Sequence, residues 1–155
     1  MGFKEDNSKF FLDLDEFEER IEIDLVKLQR EAVLLFLTQA TSHGRSEAFT
    51  PVGNPDLWKN PAPVNYRSGT AISNWRVGIN KIDGTIVDIQ DSSGATSRKQ
   101  VDKLGNLQPF SIVWISNNLP YINRIMEQGW STQTPQGSTE LILQSVIKNI
   151  KFKYG

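Results

Sequence analysis

At 155 residues, with 38% hydrophobic and 10% aromatic side chains, the chain has the size and composition of one folded domain with one main core. Seventeen basic against eighteen acidic side chains leave a net charge of -1, which argues against a dedicated nucleic-acid binder. The absence of cysteine excludes disulfide frameworks, thiolate metal sites and cysteine nucleophiles, and the single histidine leaves His-dependent catalysis resting on one residue. No apolar run approaches the ~20 residues of a membrane span. The polar start is unlike a signal segment, and a soluble protein made in a reducing cytoplasm is expected.

Residues 1–12 read as a flexible polar arm, and residues 13–155 as a single α+β domain. Asp13 to His43 forms a long amphipathic helix in this reading, with Asp13 as N-cap, Glu16 completing a capping box, and Leu12 and Phe17 placed to staple it. Leu14, Phe17, Ile21, Leu25, Leu28, Ala32 and Leu35 recur at steps of three and four and form one apolar stripe. Between Val33 and Leu37 the stripe widens, so the C-terminal half is expected to be buried or to meet a second surface. Gly44 is placed to end the helix.

Residues 45–74 are a proline-rich loop insertion, with Pro51, Pro55, Pro61 and Pro63 forbidding regular helix. Trp75 to Asn80 alternates apolar and polar residues, and Asp83-Gly84 predicts a turn into Thr85–Gln90, making a hairpin. Asp91–Pro109 is polar and reads as a mobile loop. Phe110–Ser116 is the strongest strand, expected to be central and buried on both faces. A short helix follows from Pro120 to Gln128, ended by Gly129. After a loop over Ser131–Gly137, a second helix is expected from Ser138 to Ile150, then a basic tail. Long N-terminal and C-terminal helices packed on a small antiparallel sheet follow from this order.

Three kinds of chemistry have candidate residues in this chain. His43 sits at the expected end of the long helix, where positive charge is favoured, and no carboxylate is placed to orient its ring; it reads as a cap. The carboxylates Asp13, Asp15, Glu16, Glu18 and Glu19 crowd a helix start, where acidic residues are expected anyway. Ser68-Gly69-Thr70 and Gly94-Ala95-Thr96 lack the spaced glycines and following Lys of a phosphate loop. The residues themselves select no catalytic group, cofactor or metal.

Two segments are more specific. The first is Thr50-Pro51-Val52, resumed as Tyr66-Arg67-Ser68-Gly69-Thr70-Ala71-Ile72-Ser73-Asn74-Trp75. The second is Asn117-Asn118-Leu119-Pro120-Tyr121, running on through Glu127, Gly129-Trp130-Ser131 and Pro135-Gln136-Gly137. Together, over roughly residues 13–150, they resemble the tail-completion and head–tail joining family of tailed bacteriophages, of the lambdoid tail-component type. That family pairs a long helix with a Thr-Pro-Val-Asp-Thr-Gly signature leading to a Trp, then Asn-x-x-Pro-Tyr, Glu-x-Gly-x-Ser and Pro-x-Gly before a final helix. Here Gly53 stands where the family has Asp, Ser68-Gly69 stands for Thr-Gly, and about fifteen residues from Gly53 to Asn65 are inserted, which suggests a loop specific to this subunit.

The resemblance implies a virion structural protein, not an enzyme, that needs no cofactor. It would form a ring, of six subunits in this family, between a head connector or adaptor and a tail-terminator or tail-tube protein. DNA would pass through the lumen without specific binding, and the protein, synthesised in the host cytoplasm, would reside at the head–tail junction of the virion. A neck ring and a tail-terminator ring are both compatible with it. A carbohydrate-binding module using Trp58, Tyr66 and Trp130, and a small hydrolase, are the competing readings from other classes. Pro51, Ser68, Gly69, Asn74, Trp75, Asn117, Pro120, Gly129, Pro135 and Gly137 are the motif positions expected to shape the fold. Trp58, Tyr66, Asn118, Tyr121, Glu127, Trp130 and Ser131 are the candidate interface residues. Asn118, Tyr121, Glu127 and Ser131 read equally as a corner of the fold and as a surface met by another subunit, while Trp75 and Trp114 read as core.

Overall fold

The computed structural model describes residues 3–42, 50–51, 63 and 66–154, with side chains described from residue 14. Helix α1 spans Phe3–Ala40, 38 residues and about 57 Å. It therefore begins ten residues before Asp13, and the expected arm is helical from Phe3. Neither Gly nor Pro interrupts residues 3–40, so the capping box at Asp13 is overridden by continued helix. At the other end Thr41 donates from its N–H (3.1 Å) and its hydroxyl (2.7 Å) to the Leu37 carbonyl, and Ser42 N–H bonds the Gln39 carbonyl at 3.1 Å. The helix thus stops three residues before His43, which with Gly44 lies outside the described residues.

Burial along α1 is uneven. Val33, Phe36, Leu37 and Ala40 are in the core, as the widened stripe predicts. Leu14, Phe17 and Ile21, from the same stripe, are exposed.

After a short helix α2 (Thr70–Ser73), strand β1 (Trp75–Ile79) pairs antiparallel with β2 (Val113–Asn117), in the register Trp75 opposite Asn117 and Val77 opposite Ile115. The expected hairpin partner, Thr85–Gln90, does not join the sheet. Beyond Ile79 the chain turns back over β1 itself. A Cβ on Gly78 would sit 2.0 Å from the Lys81 carbonyl oxygen and 2.8 Å from the Asp83 nitrogen, so only glycine tolerates this crossing. Thr85–Gln90 is held instead by side chains. Asn74 accepts from Val87 N–H at 2.8 Å and donates to its carbonyl at 3.0 Å, and the Ser73 hydroxyl accepts from Asp91 N–H at 2.9 Å. Because the sheet has two strands among the described residues, β2 is an edge strand rather than the expected central one, and Trp114 is 43% exposed rather than core.

The polar stretch 91–109 is ordered into helix α3 (Ala95–Arg98) and a 3-10 helix over Lys99–Asn106, not a mobile loop. The Asp91 carboxylate starts it, accepting from Ser93 N–H (3.0 Å) and Thr96 N–H (2.8 Å). Ser97, fully buried, donates to the Ile72 carbonyl (2.6 Å) and accepts from Trp75 N–H (3.1 Å). Leu104 and Leu107, three residues apart, fall on one side of the tight 3-10 turn and enter the core.

Helix α4 (Ile122–Met126) and helix α5 (Ser138–Tyr154) complete the fold, so the expected basic tail is the last turn of α5. One core joins α1, β1, the 3-10 helix, α4 and α5 through Leu37, Trp75, Val77, Leu104, Ile125, Ile142 and Val146. The architecture is α+β: two long helices with a small antiparallel sheet and long connections.

Candidate subunit interface

The two motif segments meet at one corner of the molecule. Thr50 leads into it: its N–H donates to the orphan Ala40 carbonyl at the end of α1 (2.8 Å), and its hydroxyl accepts from Trp75 Nε1 (2.6 Å). Pro51 is buried beside it. Trp75, 4% exposed, packs edge-on against Phe36 with ring centroids 5.3 Å apart, so its expected place in the core holds.

Ser68 lies half-buried before Gly69, whose φ of +84° makes the turn into α2. A Cβ there would press on the Gln90 backbone at 3.1 Å. Asn74 is fully buried; besides clamping Val87 it donates to the Thr70 carbonyl at 2.8 Å.

The second segment closes on the first through Asn117, whose side chain donates to the Ala71 carbonyl at 2.9 Å across 46 residues of sequence. Asn118 donates to the Asp83 carbonyl at 2.8 Å. The carboxylate of that same Asp83 meets Lys103 Nζ at 2.7 Å and Arg76 Nε at 3.7 Å. The Lys103 ammonium, with the Thr85 N–H and hydroxyl side of the turn, holds the Asp83 carboxyl well below the usual carboxylate range. Asn118 is thus a pin between β2 and the 80–91 segment, which favours the fold-corner reading for this residue. Pro120 is exposed at the entry to α4.

Tyr66 and Tyr121 face each other edge-on at 5.8 Å. Burial pushes the Tyr66 hydroxyl up to about 12, with Tyr121 adding to the effect, and burial also raises Tyr121. Both rings stay neutral at physiological pH and present an apolar, half-buried edge. Past α4, Gly129 turns the chain at φ +63°, Trp130 N–H returns to the Arg124 carbonyl (3.1 Å), and the Arg124 guanidinium lies 5.0 Å over the Trp130 ring. The Glu127 carbonyl accepts from Gly137 N–H at 3.2 Å, and Gly137, at φ +73°, passes its own carbonyl to Leu141 N–H at 3.2 Å to begin α5. Pro135 is exposed and accepts from the Ser138 hydroxyl.

The candidate residues therefore separate. Ser131 is buried, its hydroxyl accepting from Gln133 N–H at 3.2 Å, and is part of the fold rather than a surface. Tyr66, Tyr121, Glu127 and Trp130 are half-buried along the rim. Trp75, Asn117, Met126 and Glu127 line one shallow groove between the two segments. Trp58 lies outside the described residues.

Sequence reasoning missed the charge cluster of Arg76, Asp83 and Lys103, because its members are scattered and Asp83 was already accounted for by its turn. It also missed Phe110, which sits exposed beside the N-terminal half of α1. Among the described residues no group of three His, Cys, Asp or Glu is placed to hold a metal, and no helix is long and apolar enough to cross a membrane. Family models, curated proteins and solved structures were each compared with the chain, and none matches.

Proposed function

We propose that the chain is a structural subunit of the head–tail junction of a tailed bacteriophage, a neck or tail-completion protein that assembles as a ring around the DNA path. The observation that carries this reading is the joining of the two family-like segments, where Asn117 bonds the Ala71 carbonyl and Thr50 bonds Trp75. Residues that resemble the family's motifs in sequence thus act together in one structural unit. The rim left by that unit is aromatic and half-buried, a surface suited to packing against protein rather than to transforming a small molecule. The net charge of -1 suits a conduit for DNA, since each Lys or Arg on a phosphate would strengthen binding steeply. Partners on this reading are further copies of the chain, six in the family pattern, with a head connector on one side and a tail-terminator or tail-tube protein on the other.

Electron microscopy of a virion assembled from proteins that include this chain tests the proposal. The expected result is a ring of the chain at the head–tail junction. A resolved neck without such a ring, or with the chain packed about a two-fold axis, would overturn it.

A further inference from the structure

The first half of α1 presents an apolar stripe that none of the described residues covers. Leu14, Phe17 and Ile21 are 44%, 57% and 39% exposed. Phe110, 71% exposed, lines the same groove as those three residues and Glu18. Phe110 also holds φ +63°, a conformation an aromatic residue adopts at a cost, so the backbone is strained at the point where this ring is displayed. Charge surrounds the stripe: from residue 14 to 24 there are six acidic side chains and one basic. Two copies of this face would repel each other, which excludes simple arm-to-arm pairing.

A complementary face lies at the far end of the same chain. From residue 141 to 154, α5 carries Lys148, Lys151 and Lys153 and no acidic side chain. Ile147 is 44% and Phe152 93% exposed there, outside the side of the helix that buries Ile142 and Val146. The chain already pairs these two helices by charge once, where Lys153 Nζ meets Glu31 at 2.6 Å and Tyr154 bonds the same carboxylate. That contact fixes the end of α5 beside Glu31. Ile21 lies ten residues further toward the start of α1, about 15 Å away, and Leu14 further still. A chain's own α5 end therefore cannot reach its arm.

We propose that the acidic apolar face of α1, residues Leu14 to Asp24, docks on the Ile147–Phe152 end of α5 in a second copy of the chain. The two faces differ, so the contact is head-to-tail and repeats from copy to copy, closing into a ring when the rotation permits. The inference rests on the self-assembly in the reading above and names the surfaces that would mediate it.

Disulfide trapping tests the contact, and the absence of native cysteine keeps it clean. Phe17→Cys and Ile147→Cys variants of the full chain are mixed and mildly oxidised. The mixed disulfide should exceed both the Phe17→Cys self-pair and a Phe17→Cys/Gly84→Cys control by tenfold or more. Reversing Glu18 and Glu22 to Lys in the arm should reduce trapping at least tenfold. Lys148→Glu with Lys151→Glu in the partner should restore it. Equal yields for all pairs, no trapping at all, or indifference to the charge reversals would overturn the contact. A virion ring that persists alongside indifferent trapping leaves the ring standing without this contact. Specific trapping in a species that forms no ring leaves the contact standing and removes the ring.

Discussion

Asp83 ties three parts of the chain together, and its ionisation is part of the stability of the corner. Its carboxylate meets Lys103 and Arg76, while its carbonyl accepts from Asn118 (2.8 Å) and Ser116 (3.1 Å). Asp91 plays the same part at the start of α3, with Ser93 and Thr96 as donors. Both carboxyls are held below the ordinary aspartate value of 3.8, Asp83 chiefly by Lys103 and Asp91 chiefly by Ser93. A carboxyl lowered by folding stabilises the native state above its unfolded value and loses that contribution as pH falls through the folded value. The melting temperature should therefore drop steeply below about pH 4. The double variant Asp83→Asn, Asp91→Asn should melt lower at neutral pH and show a flatter decline in acid. Parallel curves for the two proteins between pH 5 and 2 would show that these carboxylates do not carry the acid sensitivity.

Among the elements, the segment from Ala95 to Leu107 departs furthest from its polar composition. It presents two large apolar residues to the core, Leu104 at 1% and Leu107 at 5% exposure, and Arg30 on α1 holds it by donating to the Leu104 and Gly105 carbonyls at 2.7 Å each. Truncating Leu104 to Ala removes a fully buried side chain and leaves a cavity, which should cost about 2–5 kcal/mol in urea denaturation. A loss below about 0.5 kcal/mol, the range of ordinary surface changes, would place this segment outside the core. The neighbouring segment 80–91 is different: Ile82, Ile86 and Ile89 are exposed, and the clamp by Asn74 holds its backbone.

At the scale of the whole molecule, the exposed large apolar side chains lie on the α1 arm, the 80–91 segment, the outer face of β2 and α5, while the motif corner supplies a half-buried aromatic rim. Trp130 belongs to that rim, with Arg124 stacked on it, so if the rim is the proposed interface its truncation should affect assembly more than folding. Trp130→Ala should cost the isolated subunit about 1–2 kcal/mol, from partial ring burial and one cation–π contact. On the proposed neck-protein reading it should also block incorporation into infectious particles. Comparing the mutant's melting temperature with its yield in purified virions checks both outcomes. A stability loss of about 3–5 kcal/mol, the cost of a core tryptophan, would make Trp130 a packing residue instead.

The amino-acid order alone determined the long amphipathic helix, the two strands, the short helix closed by Gly129 and the α+β class. Each of these depends on local spacing: apolar steps of three and four, β-branched alternation, and turn residues at fixed offsets. It also placed Asn117 among the positions that shape the fold, and its amide does bond backbone at the strand-to-helix corner, as short amides do where a chain turns. The tertiary structure decided which strand β1 pairs with. Asp83-Gly84 favours a local hairpin, but the chain folds across Gly78, leaving β2, more than thirty residues on, as the partner. It likewise decided the fate of the α1 stripe, whose residues are alike in sequence. Leu37 and Val33 are buried because the 3-10 helix, α3 and α5 converge on that half of α1, whereas Phe17 and Ile21 lie beyond their reach. A helical period states which side chains share a face, while what covers that face depends on residues up to a hundred positions away in the chain.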